Sequence, residues 1–120
     1  MSTWDVSKVT DMSWLFSGEY TFNDDISAWD TSAVTSMFAT FGSAEQFDQP
    51  LNDWNVSGVT SMLSMFSHAE SFNQPLNTWV VSSVTDMTSM FWSASSFNQP
   101  LNTWVVSVSY THLRAHETEA

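Results

Sequence analysis

The 120-residue sequence has no cysteine and only two basic residues, Lys8 and Arg114, against 13 acidic ones. The absence of cysteine excludes a disulfide framework and a thiolate metal site. The shortage of Lys and Arg argues against a nucleic-acid partner, since phosphate contacts need clustered cations. No apolar run approaches the roughly 20 residues of a membrane span, so no span is expected in this sequence.

Residues suited to catalysis are also scarce. The repeat region described below has one histidine, His68, and one lysine, Lys8, and none of the motifs of serine hydrolases, zinc peptidases or phosphate-binding loops. Asp24 and Asp25 are adjacent, and on an extended segment adjacent side chains point to opposite sides. We therefore expect no enzyme activity, no catalytic residue and no cofactor.

Calcium is the one metal for which oxygen ligands recur in the sequence. The acidic or amide residues that could supply them are Asp5, Asp11, Asp30, Asn55 and Asp86. However, no D-x-D-x-D-G loop is present, and valine replaces the acid in later copies of the first of these positions. A solvated acidic face is therefore favoured over a metal site.

The sequence does contain a period of 25 residues. Large apolar residues recur in register in columns: Trp4, Trp29, Trp54, Trp79 and Trp104; Val9, Val34, Val59 and Val84; Met12, Met37, Met62 and Met87; Phe16, Phe41, Phe66 and Phe91; Phe22, Phe47, Phe72 and Phe97; and Ile26, Leu51, Leu76 and Leu101. One repeat carries about eight apolar positions, too few to form a core alone, so the copies are expected to stack.

Within each repeat, the segment V-T-x-M predicts a short parallel strand, because it contains a β-branched pair. The segment M-F-x-x-A has helical spacing and lacks β-branched residues, which predicts a short helical turn. Pro50, Pro75 and Pro100 indicate an extended edge or turn before the tryptophan. The predicted fold class is an α/β repeat solenoid, leucine-rich-repeat-like, with one strand and one helical turn per repeat.

Two polar columns accompany the apolar ones. They contain Ser27, Asn52, Asn77 and Asn102, and Ser7, Ser32, Ser57, Ser82 and Ser107. Turned inward, such side chains would hydrogen-bond to backbone groups of the next repeat. Turned outward, they would face solvent and could bind a ligand. The inward ladder is the favoured interpretation.

Three runs carry a family resemblance: WNVSGVTSM (54–62), FNQPLNTWVVSSVTDM (72–87) and FNQPLNTWVVS (97–107). They resemble the BspA-like surface-protein repeat, and the resemblance covers residues 1–107. It implies a leucine-rich-repeat-like array displayed outside a bacterial cell and attached to its surface by other parts of the protein. It also implies adhesion or protein binding without catalytic residues.

The expected domain organisation is an uncapped piece of about four repeats over 1–107, followed by a non-repeat tail over 108–120. Uncapped ends would expose Trp and Phe columns, so end-to-end self-association is expected. The tail VSYTHLRAHETEA breaks the register, and its first eleven residues resemble translated sequencing-adapter sequence; a genuine short tail is the alternative. His112 and His116 in this tail are assigned no function.

Four aromatic residues lie off the core columns: Trp14, Tyr20, Phe38 and Trp92. Repeat proteins place contact residues in variable columns, and exposed Trp and Tyr are favoured binding anchors. These residues are therefore the candidate partner contacts; alternatively, Trp14 and Trp92 fill gaps between repeats or cover an end.

The leading function is adhesion to a protein on a host, matrix or neighbouring cell. The alternatives are a structural spacer and, more weakly, carbohydrate binding through the exposed aromatics.

Overall fold

The chain folds as 25-residue repeats lying one on the next in a computed structural model that describes residues 1 and 3–106. We number the repeats from their tryptophan: repeat 1 is 4–28, repeat 2 is 29–53, repeat 3 is 54–78 and repeat 4 is 79–103. Parallel bridges join Asp11 to Ser36, Ser36 to Ser61 and Ser61 to Asp86. Each bridge spans one period, so successive repeats are stacked in register. The smallest extent of the molecule, 20 Å, fits four layers at the roughly 4.8 Å spacing of paired strands.

The predicted fold class is wrong. Residues 1 and 3–106 contain no helix, and their only β-pairing is the three single-residue bridges at the V-T-x-M segments. The chain is therefore not an α/β solenoid of the leucine-rich-repeat type with a strand and a helical turn in each repeat. It is a compact stack of turns, with a Cα radius of gyration of 13.0 Å.

The backbone conformation explains why the M-F-x-x-A segment is not helical. In repeat 3, Ser64 and His68 have φ values of 55° and 59°, in the left-handed region. A right-handed helix cannot continue through such residues. Positive φ recurs in two columns: Trp14, Ala39, Ser64 and Ser89; and Gly18, Ser43, His68 and Ser93. The apolar spacing therefore belongs to successive turns rather than to a helix.

The residues from the bridge to the second positive φ, which we call the turn segments, are 11–18, 36–43, 61–68 and 86–93. In the first three turn segments, every second amide donates to the next repeat. In repeat 2 the donors Met37, Ala39, Phe41 and Ser43 bond to the carbonyls of Ser61, Leu63, Met65 and Ser67 at 2.8–2.9 Å. Repeats 1 and 3 make the same four bonds to the repeats that follow them. These amides all point toward the next repeat, and the carbonyls that accept from them all point toward the preceding one.

The core consists of the apolar columns, as predicted from the period. Phe66 is fully buried, with its ring stacked between those of Phe41 and Phe91 at centroid distances of 5.4 and 5.6 Å. Trp54 stacks on Trp29 at 6.3 Å. The buried indole of Trp54 donates its Nε1–H to the carbonyl of Ile26 at 3.0 Å, and Trp79 and Trp104 repeat this bond one and two periods later. The tryptophan column thus packs the core, and backbone carbonyls satisfy its buried indole N–H groups.

The asparagine column makes the expected bonds between repeats but does not point inward. Asn52 Oδ1 accepts from the amide and the hydroxyl of Thr78, whereas Asn77 is exposed. A second ladder joins the residues that follow the second phenylalanine column, where Oδ1 of Asn23 accepts the amide of Asp48 at 2.8 Å. The carboxylate of Asp48 accepts the amide of Asn73 in the same way, at 3.0 Å. Both ladders hold the repeats in register at the surface.

Candidate functional site

The turn segments present their variable side chains on the outside of the stack. Trp14 and Phe38, which come from repeats 1 and 2, are in contact there with ring centroids 4.7 Å apart and planes tilted by 41°. The Trp14 side chain is 58% exposed, and Phe38 is half-buried beside it. We call them the Trp14–Phe38 pair. The Trp14 ring thus packs against the next repeat while more than half of its side chain stays exposed.

Trp14 adopts an uncommon conformation for a bulky residue, with φ at 58°. The left-handed region costs a residue with a side chain about 1–2 kcal/mol, and Ala39 and Ser64 occupy the same column in the next two repeats. The Trp14 amide donates to the Phe38 carbonyl at 2.9 Å, so the conformation is fixed by the stacking of repeat 1 on repeat 2. The scaffold therefore holds a large aromatic side chain outward at a place that it otherwise gives to small residues.

The other two candidate contacts lie elsewhere. Trp92, in repeat 4, is 5.6 Å from His68 between ring centroids, and both side chains are exposed. Tyr20 is also exposed, and its backbone carbonyl accepts from the Gln46 amide at 3.1 Å. The structure thus brings together two of the four predicted contact residues and places Trp92 with a different aromatic partner near the opposite end.

The acidic residues of the repeats serve local turns. Asp30 Oδ1 accepts the amide and the hydroxyl of Ser32 at 3.0 and 2.6 Å, and Asn55 makes the same two bonds with Ser57. These two hydrogen bonds lower the pKa of Asp30 from its ordinary value, and the bond from the Ser32 hydroxyl is the larger cause. Within residues 1 and 3–106, no three acidic or histidine side chains form a group that could hold a metal ion.

The sequence did not predict one feature of the surface, a cleft of about 260 Å³ at the repeat 4 end. Its lining includes Trp79, Thr103 and the exposed Val80 and Val105. The signal was present, because these valines replace Asp5, Asp30 and Asn55 in their column.

The described part of the chain forms no helix long and apolar enough to cross a membrane. Ser107 and the whole of the 108–120 tail, with His112 and His116, lie outside the described residues.

Comparisons with known proteins identify the chain only at the level of a family. No curated protein and no solved structure matches it. Residues 1–104 match the family described as "Mycoplasma protein of unknown function, DUF285". This match covers all four repeats but does not confirm the more specific BspA-like leucine-rich-repeat assignment. The chain belongs to the DUF285 family.

Proposed function

We propose that this chain is a non-catalytic repeat module that binds a protein on a host, matrix or neighbouring cell. The observation that carries the proposal is the exposed, conformationally strained Trp14 side chain against Phe38. The same positive φ recurs at Ala39, Ser64 and Ser89, so this backbone conformation belongs to the scaffold. What is particular to repeat 1 is that a large aromatic side chain occupies the position. Exposed aromatic side chains are also the commonest energetic anchors of protein interfaces.

The scaffold supports such a role because it is rigid around the pair. The turn segment of repeat 1 is bonded to repeat 2 through the amides of Met12, Trp14, Phe16 and Gly18, at 2.8–2.9 Å. A rigid segment loses little entropy when a partner binds to it. The module would act by display, with core columns fixing the backbone and outer columns contacting the partner.

An extracellular, surface-attached location is part of the proposal. The F-N-Q-P-L-N-x-W motif resembles BspA-like surface repeats, and the match to a mycoplasma repeat family agrees with a relation to them. An excess of acidic over basic residues suits a protein displayed outside the cell. The proposed role needs no catalytic residue and no cofactor.

The competing role is a spacer that projects another domain away from the surface. A spacer needs the rigid stack but gains nothing from an exposed indole in a strained conformation. The two roles therefore differ in what they predict for Trp14, and a single substitution separates them.

The test compares Trp14→Ala with Val80→Asn in binding to immobilised matrix proteins and to cultured host cells, by surface plasmon resonance and by cell counting. Alanine is already present at Trp14's column as Ala39, and asparagine at Val80's column as Asn55, so both variants should fold. Both side chains are 58% exposed in the parent. We expect saturable binding that Trp14→Ala weakens about tenfold or more, as for loss of an interface hot spot.

Val80→Asn should leave that binding within about twofold of the parent, because it lies near the opposite end of the stack. Absence of saturable binding to every matrix protein and cell type would contradict the proposal and favour the spacer. Equal binding by Trp14→Ala and the parent would remove Trp14 from the site. Competition by free sugars would point instead to carbohydrate binding.

A further inference from the structure

The outer surface of the turn segments carries a row of apolar side chains that continues past the Trp14–Phe38 pair. Leu63 occupies the column of Phe38 in the next repeat, and the Ala39 amide donates to the Leu63 carbonyl at 2.9 Å. Phe38 and Leu63 are both half-buried, and both lie outside the core cluster. We call Trp14, Phe38 and Leu63 the apolar strip.

Two of the three side chains of the apolar strip lie in repeats that are covered on both sides. Repeat 2, with Phe38, is stacked between repeats 1 and 3, and repeat 3, with Leu63, is stacked between repeats 2 and 4. Neither side chain is fully buried by these neighbours. The surface that the strip presents is therefore on the side of the stack, and further repeats at either end would leave it open.

The spacing of the apolar strip restricts the shape of a partner. Successive repeats rise by roughly 4.8 Å, the distance between paired strands, so the strip offers one apolar side chain at about that interval. A helix lying along the stack brings one face round every 5.4 Å, which departs from the strip by only about 1 Å over three contacts. An extended strand repeats a face about every 6.6–6.8 Å and loses about 2 Å at each contact. The spacing therefore favours a helix.

The residues that follow the strip in repeats 2 and 3 leave room for a helix. Ala39 and Gly42 are buried, and Ser64 and Ser67 are short and half-buried. The larger residues between them are fully buried in the core or beneath the surface. A helix with its side chains is about 10–12 Å across, and no bulky side chain of residues 39–42 or 64–67 projects into that width.

A carboxylate is fixed near each end of the apolar strip. Asp11 Oδ1 accepts the Ser13 amide at 2.8 Å in repeat 1, and Asp86 Oδ1 accepts the Thr88 amide at 3.0 Å in repeat 4. These carboxylates are three layers, or roughly 14 Å, apart along the stack. The four turn segments contain no Lys or Arg. The charges complement a basic residue near each end of about ten residues of helix, which span about 15 Å.

We propose that the apolar strip binds one amphipathic helix of a partner protein, laid along the stack with a basic residue near each end. Its apolar face, with side chains spaced as i, i+4 and i+7, packs on Trp14, Phe38 and Leu63. Its basic residues pair with Asp11 and Asp86. This inference rests on the proposed function, because it gives the form of the protein that the Trp14–Phe38 pair contacts.

The test uses the full ¹⁵N-labelled chain and two synthetic peptides of about 16 residues, a length at which an isolated helix is marginal in water. The two have the same composition of Leu, Gln and Arg. The first places leucine at helical spacing with arginine near both ends, and the second alternates leucine with polar residues, as in a strand. We expect the first to bind saturably, to gain helical circular dichroism on binding, and to shift the Trp14 indole N–H and the Phe38 and Leu63 amides. The second should bind at least about tenfold more weakly.

Three variants locate the contacts. Leu63→Thr takes the residue that Thr88 has in the same column, and should weaken binding of the first peptide about fivefold through loss of apolar contact. The double variant Asp11→Ser and Asp86→Ser takes the serine that the two inner repeats have in that column. It should weaken binding at low salt and remove most of its salt dependence. Val80→Asn, outside the turn segments, should leave binding within about twofold of the parent.

Equal binding of the two peptides would overturn the helix, and unchanged binding by Leu63→Thr would overturn the strip. Absence of saturable binding up to about 1 mM of the first peptide would overturn both. Shifts at the strip that grow with protein concentration alone would show that a second copy occupies it, and would also contradict the proposal.

These outcomes are distinct from failure of the proposed function. A host or matrix protein that needs Trp14 but tolerates Leu63→Thr would leave the proposed function standing and refute the helix. Peptide binding as expected, without any host or matrix protein that binds the chain, would refute adhesion to those targets and leave the helix site standing.

Discussion

Repeat 1 and repeat 3 have the same columns but opposite environments. Trp4 is 60% exposed and Trp54 only 3%, although each opens its repeat in the same way. Leu15 is exposed, whereas Met65 in its column is fully buried. The comparison shows that burial is not a property of a repeat's own sequence. It comes from the repeats on either side, as expected for an array stabilised by nearest-neighbour contacts.

Substitutions in the tryptophan column should have the largest effect on the free energy of unfolding. Trp54→Ala should lower the free energy of unfolding by about 3–5 kcal/mol, because it removes a buried ring and one of the two hydrogen bonds to the Ile26 carbonyl. Trp4→Ala should cost less than about 1 kcal/mol, since its ring is mostly in solvent. Urea denaturation of the two variants measures the difference. Equal losses would mean that burial is already set within one repeat.

Two glycine substitutions should have smaller effects on stability, and the two effects should be opposite in sign. Gly18 has φ at 74° with open space where a Cβ would lie, so Gly18→Ala should cost about 1 kcal/mol from backbone conformation alone. Gly58 lacks a positive φ, and its nearest neighbour to a Cβ, the Val34 carbonyl, is at 3.6 Å. Gly58→Ala should therefore stabilise by about 0.4–1 kcal/mol through the unfolded state. Thermal melts of both variants would test the signs, and destabilisation by both would disprove this account of the two glycine conformations.

Substitutions of Asp5 and Asp30 should have the smallest effect on stability. This effect should not depend on where the repeat lies in the stack. Hydrogen bonds, led by those of the Ser7 and Ser32 hydroxyls, lower the pKa of both carboxyls in the folded state. Their contribution to stability is therefore present above the unfolded-state pKa and is lost as pH falls through the folded-state value. Asn55 makes the same bonds without titrating.

Asp30→Asn should consequently make the acid-side fall in stability shallower, and Asn55→Asp should make it steeper, with little change near neutral pH. Asp5→Asn should match Asp30→Asn, because the turn bonds lie within one repeat. Denaturant midpoints between pH 2 and pH 7 follow these changes, a range chosen to bracket ordinary carboxyl pKa values of about 4. A larger effect at Asp30 than at Asp5 would show that stacking contributes to this turn after all.

The period predicted the core and the register of the stack from sequence, because those depend on which residues recur. It did not predict the local backbone. Met65, Phe66 and Ala69 have the same spacing on a helix as on successive turns, and periodicity cannot distinguish the two. Serine and histidine at positive φ, as at Ser64 and His68, give no signal comparable to glycine. The helix was therefore the wrong interpretation of a correct pattern.

The candidate site was predictable in part. Trp14 and Phe38 stood out as variable-column aromatics, but their contact depends on the offset between adjacent repeats, which the stacking geometry sets. The common direction of the accepting carbonyls in the turn segments was not predictable, since it follows from the backbone conformation of the turns. End-to-end self-association remains a prediction, and so does the absence of enzyme activity.

The central claim is that every second amide of the turn segments donates to the next repeat rather than to a carbonyl four residues earlier, as it would in an α-helix. Scalar couplings transmitted through hydrogen bonds, measured by NMR on the labelled chain, test it most directly. The Phe41 amide donates to the Met65 carbonyl at 2.9 Å, so a coupling between the Phe41 nitrogen and the Met65 carbonyl carbon is predicted. A coupling from the Phe41 nitrogen to the Met37 carbonyl carbon, four residues earlier, would show a helix and contradict the account.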